Sequence, residues 1–140
     1  MMSTQNQRAR PARIAVIDDD SVFLVLMQEL LGGGEGYDVF TCSRWVDSFE
    51  FIKRVQPDLV MLDLMLGRAQ HGWAVLELLR SAAETSDVPV ILCTAAAPEI
   101  ARASRRAGVE YLAKPFDIDD LLLTINRLLA TSRVPATASD

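Results

Sequence analysis

Residues 13–31 read RIAVIDDDSVFLVLMQELL. The first six form a short apolar run, partly β-branched, that ends in acid, as a buried strand does when it reaches water. From 21 to 31 the apolar positions recur at helical spacing, and Asp20 or Ser21 is placed to cap the first turn. GGGEG at 32–36 then reads as the stop of that helix. The same order repeats down the chain. Residues 37–41 (YDVFT) alternate as a strand, and 43–55 read as a helix. Residues 58–63 (DLVMLD) are a second apolar run ending in acid, followed by helical spacing over 72–83. Residues 88–94 (VPVILCT) are apolar on both faces, and 98–107 read as a helix with Pro98 suited to its first turn. A strand at 109–113 and an amphipathic helix at 117–130 complete the series.

Five strands thus alternate with five helices. Near-continuous apolar strands suit a parallel sheet covered on both faces, and right-handed crossovers lead to a doubly wound α/β domain. The expected strand order is 2-1-3-4-5. In such a sheet the functional crevice lies outside the carboxyl ends of the strands. The domain is expected over residues 13–131, between mobile tails at 1–12 and 132–140.

The chain has 140 residues, half of them hydrophobic, enough for one domain with a core. The net charge of -5 argues against direct nucleic-acid binding, which calls for a basic face. No apolar run reaches the length of a membrane span, and the basic N-terminus lacks the apolar segment of a secretory signal. Cys42 and Cys93 lack metal-ligand spacing and read as reduced thiols of a cytoplasmic protein. His71, the single histidine, reads as a solvated loop residue.

The strand ends collect chemistry. Strand one ends in Asp18-Asp19-Asp20, strand three in Asp63, strand four in Thr94, and strand five runs into Lys114-Pro115-Phe116. Asp63 stands out because Leu, Val, Met and Leu precede it and Leu-Met-Leu follows. A carboxylate so placed is costly unless paired or bound to a cation. Asp18 and Asp19 add like charge nearby. A hard divalent cation with oxygen ligands balances them, with Lys114 supplying the rest. Mg²⁺ fits best, since it uses one or two carboxylates, keeps waters and accepts phosphate oxygens. A carboxylate faced by a metal, a lysine and a hydroxyl is arranged for phosphoryl transfer.

These residues resemble the receiver domains of two-component response regulators. The resemblance rests on IAVIDDD (14–20), DLVMLDLML (58–66), VILCTA (90–95) and AGVEYLAKPF (107–116), in the family's order and approximate spacing, and it covers residues 12–131. It implies a flavodoxin-like three-layer sandwich of the stand-alone, chemotaxis-type receiver kind. It implies that Asp63 is the phosphoacceptor, Asp19 a direct Mg²⁺ ligand, and Asp18 a partner through water or hydrogen bonds. Met65 would offer its backbone carbonyl to the metal. Thr94 and Lys114 would meet the phosphoryl group, Tyr111 would be the aromatic switch, and the Lys114–Pro115 peptide would be cis. The partners implied are a histidine kinase or histidine phosphotransfer protein and a downstream protein target. The role implied is a signalling module rather than an enzyme.

The chain also departs from the family. Gly67 stands where relatives usually carry proline, and Gly72 lies nine residues after Asp63 where eight is usual, so the loop at 66–71 is one residue longer. Neither Met65 nor Ala96 can activate a hydrolytic water, so the phosphorylated state is expected to be longer-lived than in fast chemotaxis-type regulators.

Plainer readings stand beside these. Asp18 and Asp19 can serve a helix N-terminus, and for Asp20 capping is the better reading. Thr94 can simply end a strand, Lys114 can be solvated, and Tyr111 can be a packed tyrosine. Arg102, Arg105 and Arg106, with Asp117, Asp119 and Asp120, read first as a mixed-charge surface. The sharper reading makes the 98–107 helix, the fifth strand and the last helix an output surface whose opposite charges favour a symmetric homodimer. Two rival functions remain: a phosphorylation-independent interaction domain of the same fold, and a Mg²⁺-dependent aspartyl phosphohydrolase. The second wants a further acid two residues after Asp63, where Met65 stands.

Overall fold

The computed structural model describes residues 10–66, 71–95 and 108–138, with side chains of the last helix to Thr131. Five strands form one parallel sheet in the order β2-β1-β3-β4-β5. They are β1 (Arg13–Ile17), β2 (Asp38–Cys42), β3 (Leu59–Leu62), β4 (Val90–Thr94) and β5 (Val109–Ala113). The register aligns the ends that carry the acids: Ile17 pairs with Leu62, so Asp18 and Asp63 leave the sheet side by side. Thr94 pairs with Ala113, which brings Lys114 to the same edge.

Strand alternation sorts the side chains into two cores. Ile14, Val16, Met61, Ile91 and Cys93 face one way, towards α1 (Ser21–Met27) and α4 (Ile118–Ala138). Ala15, Ile17, Leu62, Val90 and Leu92 face the other, towards α2 (Ser48–Val55) and α3 (His71–Ser81). The molecule is therefore the expected three-layer sandwich with the expected strand order. Leu76 and Ile52 are fully buried in the second core. Truncating such a side chain to alanine costs about 2–5 kcal/mol.

Several boundaries differ from the sequence reading. The glycine run does not break the first helix. Gln28–Gly34 continue it as a π-helical segment, and the turn comes at Gly36, whose φ is +80°. Glycines tolerate the wider turn, and the Gln28 side-chain amide donates to the Val39 carbonyl at 3.1 Å, tying the segment to β2. Before α2 the chain tightens into a 3₁₀ turn at Trp45–Asp47, where Ser48 Oγ bonds the Trp45 carbonyl at 2.5 Å. β4 begins at Val90 because Pro89 has no N–H to donate. α4 runs on to Ala138, past the end of the apolar periodicity at Ala130. His71 is not a solvated loop residue. It opens α3 and stacks on Trp45, with ring centroids 4.2 Å apart and planes 11° apart. The expected helix at 98–107 with its three arginines, Ala96, Gly67 and the loop to Gln70 lie outside the described residues.

Candidate functional site

The site is built on the first turn after β1. Asp18 follows Ile14 and Val16 at even spacing, so it points to the face covered by α1. Its amide donates to the Cys42 carbonyl at 3.1 Å, and its Oδ1 accepts from the Asp20 amide at 2.9 Å. Asp20 turns away and caps α1, accepting from Val22 and Phe23 amides at 3.0 and 3.4 Å. That is the capping role read for it in the sequence. Asp19, between them, is exposed.

Asp63 leaves β3 on the same face. Its amide donates to the Ile17 carbonyl at 3.1 Å, and its Oδ1 accepts from the Met65 amide at 2.9 Å. Gly72 explains how the backbone here is held. A Cβ on Gly72 would lie 2.4 Å from the Asp63 carbonyl oxygen and 2.5 Å from Leu64 Cα. The Gly72 amide also donates to the Leu64 carbonyl at 3.0 Å. The first turn of α3 therefore presses against the chain just after Asp63, and only glycine fits.

Lys114 closes the arrangement from β5. Its Nζ lies 2.5 Å from Asp18 Oδ2 and 3.3 Å from Asp63 Oδ2, although 96 residues separate it from Asp18. The peptide that follows it, to Pro115, is cis. The ammonium also sits 4.1 Å from the centre of the Phe23 ring. Phe23 in turn meets Phe116 edge-on, at 6.1 Å and 84°. The sequence reading missed both aromatic residues. Phe116 stood within the KPF stretch, but nothing in local spacing indicates that Phe23 meets a lysine on another strand.

The electrostatics follow from burial. The Asp18 side chain is only 2% exposed, and desolvation lifts its carboxyl above the ordinary carboxylate range against the pull of Lys114 and the Asp20 amide. Burial alone would lower Lys114, but its hydrogen bond to Asp18 and the charges of Asp18 and Asp63 outweigh that and hold the ammonium above its usual value. Cys93, fully buried, has its thiol pushed far up by desolvation and is chemically inert.

One carboxylate oxygen from each of Asp18, Asp19 and Asp63 lies within 4.8 Å of the others. Three carboxylates beside one ammonium leave a formal excess of two negative charges. An all-oxygen donor set with that excess, one member of it desolvated, suits a hard divalent cation.

Thr94 and Tyr111 stand on the two strands beside this cluster, β4 and β5. Thr94 is fully buried at the end of β4, and its carbonyl accepts the Lys114 amide at 2.9 Å. Tyr111 pairs with Leu92 in register and packs against the α2–α3 core. Sheet alternation gives Thr94 and Tyr111 the same face, as diagonal neighbours on adjacent strands. Met65 sits beside Asp63 with its side chain exposed.

Residues 14–126 match the response regulator receiver domain family. The chain belongs to that family and is a receiver domain of the two-component signalling type. It is 31% identical over 121 residues to the protein PilH of Pseudomonas aeruginosa, covering 85% of this chain and 98% of that one. It is 35% identical over 129 residues to the DNA-binding dual master transcriptional regulator RpaA of Synechocystis, covering 90% of this chain and 53% of that one. The receiver therefore spans about half the length of RpaA and nearly all of PilH. A CheY-like response regulator receiver domain protein from Methanospirillum hungatei superposes with a TM-score of 0.80 at 26% identity, over 90% of this receiver and 99% of that chain. Among the described residues no helix is long and apolar enough to cross a membrane.

Proposed function

We propose that Asp63 accepts a phosphoryl group from a phosphohistidine on a histidine kinase or histidine phosphotransfer protein. The observation that carries this reading is the single ammonium of Lys114 shared by Asp18 and Asp63, beside a third carboxylate from Asp19. Asp63 forms the new P–O bond as the P–N bond to the donor imidazole breaks, and the imidazole leaves with the electron pair. The Met65 amide holds the Asp63 carboxylate in one orientation. Lys114 neutralises charge on the transferring oxygens. Asp18, Asp19, Asp63 and the Met65 carbonyl are the groups to hold Mg²⁺. When bound, the ion offsets the excess negative charge and neutralises charge on the phosphoryl oxygens.

The product carries more negative charge than the carboxylate did. Lys114 follows that charge, and Thr94 is the hydroxyl at the same sheet edge that turns to it. Tyr111, its diagonal neighbour, relays the change to a surface read by a downstream protein, in the cytoplasm. The role is that of a signalling switch rather than of a turnover enzyme.

Incubation with a small phosphodonor and Mg²⁺, followed by intact mass measurement, tests this. One phosphoryl adduct is expected in the wild type and none in Asp63→Asn. An adduct that persists in Asp63→Asn refutes the assignment.

A further inference from the structure

Lys114 has three N–H bonds and two carboxylate partners. Another side of its ammonium meets an aromatic face. The Phe23 ring centre is 4.1 Å from Nζ, within the range of a cation–π contact. The ring is itself fixed from two directions. The Phe23 backbone amide lies in the first turn of α1 and bonds Asp20 Oδ1, and the ring packs at 84° against Phe116, two residues beyond Lys114. α1 and the segment after β5 are thus joined through the ring that seats the lysine. Phe23 and Lys114 also share the wall of an apolar cleft of about 410 Å³ with Leu26, Leu30, Pro115 and Phe116.

We infer that Phe23 is a positioning residue for Lys114, its ring face holding the ammonium towards the Asp63 edge without competing for it as a hydrogen-bond acceptor. This deepens the phosphoacceptor reading and rests on it. The chemical argument lies in what other residues would do at position 23. An acid or amide would accept a strong hydrogen bond from the ammonium and hold it back from an incoming phosphoryl oxygen. An aliphatic side chain would exclude water but offer no attraction to the cation. An aromatic face attracts the cation weakly, so the lysine is placed in advance and is released at small cost when phosphoryl oxygens arrive.

The experiment measures the rate of phosphoryl uptake from a small phosphodonor with saturating Mg²⁺. Phe23→Leu, Phe23→Tyr and a series of progressively fluorinated phenylalanines at position 23 are compared. Fluorination drains the ring face of negative charge while leaving its shape nearly unchanged. Phe23→Leu is expected to slow uptake roughly three- to tenfold, Phe23→Tyr to stay near wild type, and the fluorinated series to slow in graded order. The Lys114 Nζ proton resonance is expected to be shifted upfield by the ring in the wild type and to lose that shift in Phe23→Leu. A flat fluorinated series overturns the inference even if Phe23→Leu is slow, because packing alone then explains the ring. If the leucine variant fails to fold, the fluorinated series still decides. If the wild type takes up no phosphoryl group, the phosphoacceptor reading itself falls and the role of Phe23 falls with it. An adduct formed at equal rates across the series removes only Phe23.

Discussion

The two helices that begin beside Asp63 do so by different means. α1 starts on a side chain: Asp20 caps it, its inner residues Leu24 and Met27 are buried, and its outer residues Val22, Val25 and Leu26 stay exposed. α3 starts on backbone contact: Gly72 fits against the Asp63 carbonyl with no space for a Cβ. His71, one residue earlier, is stacked on Trp45. The first entrance is set by local hydrogen bonds and open to one side. The second is set by steric fit and closed. The cleft, the ammonium and the exposed Val22, Val25 and Leu26 lie on the α1 side. The side that fixes the backbone of the proposed phosphoacceptor lies towards α3. Under the proposed function, taking a group from a partner uses the open side and holding one carboxylate still uses the closed one.

The largest expected effect tests the closed entrance. Gly72→Ala forces α3 and the chain after Asp63 apart and should destabilise the fold by about 3 kcal/mol, measured by urea unfolding. A loss below 1 kcal/mol would show that this contact yields easily and that the contrast between the entrances is weak.

The next effect concerns charge at the α1 side. The folded value of Asp18 lies above its unfolded value, so its protonated form favours the fold. That contribution is present below the unfolded value and lost as pH rises through the raised one. In metal-free protein, Asp18→Asn should therefore flatten this fall of the urea midpoint with rising pH. It should also weaken Mg²⁺ binding by about tenfold or more, read by titration. A pH dependence that persists in Asp18→Asn, together with unchanged Mg²⁺ affinity, would contradict both halves.

Smaller still is the cap. Asp20→Ala should cost about 1 kcal/mol and leave Mg²⁺ affinity within about twofold, since Asp20 serves the helix rather than the cation. A metal affinity that falls as far as in Asp18→Asn would move Asp20 into the metal site. The smallest effect is at the open face. Val25→Ser should change stability by no more than about 0.5 kcal/mol, because the side chain is 61% exposed. A larger loss would mean that this face is covered in solution.

Much of this was legible in the residues. RIAVID and DLVMLD each carry a strand and the acid that ends it within one window, so the strand, its end and the chemistry at that end could be read together. VILCT and the KPF stretch added the other two ends. The boundaries that failed share a cause. The glycine run looked like a stop, but Gln28 bonds β2 across eleven residues and keeps the segment wound. His71 looked like loop because its partner, Trp45, lies on a different element. Gly72 looked displaced because counting from Asp63 cannot show which glycine meets the Asp63 carbonyl.

By itself, then, the sequence determined the alternation of strands and helices, the parallel sheet and the carboxylates at its edge, because apolar periodicity and strand-ending acids are properties of adjacent residues. Only the tertiary structure decided that Lys114 is shared between Asp18 and Asp63, that Phe23 seats its ammonium, and that Gly72 holds the backbone beside Asp63. Each of these is a contact of a few ångströms between segments remote in the chain, set by register and packing. Coulomb attraction and steric exclusion act on distance in space, which periodicity along the chain does not encode.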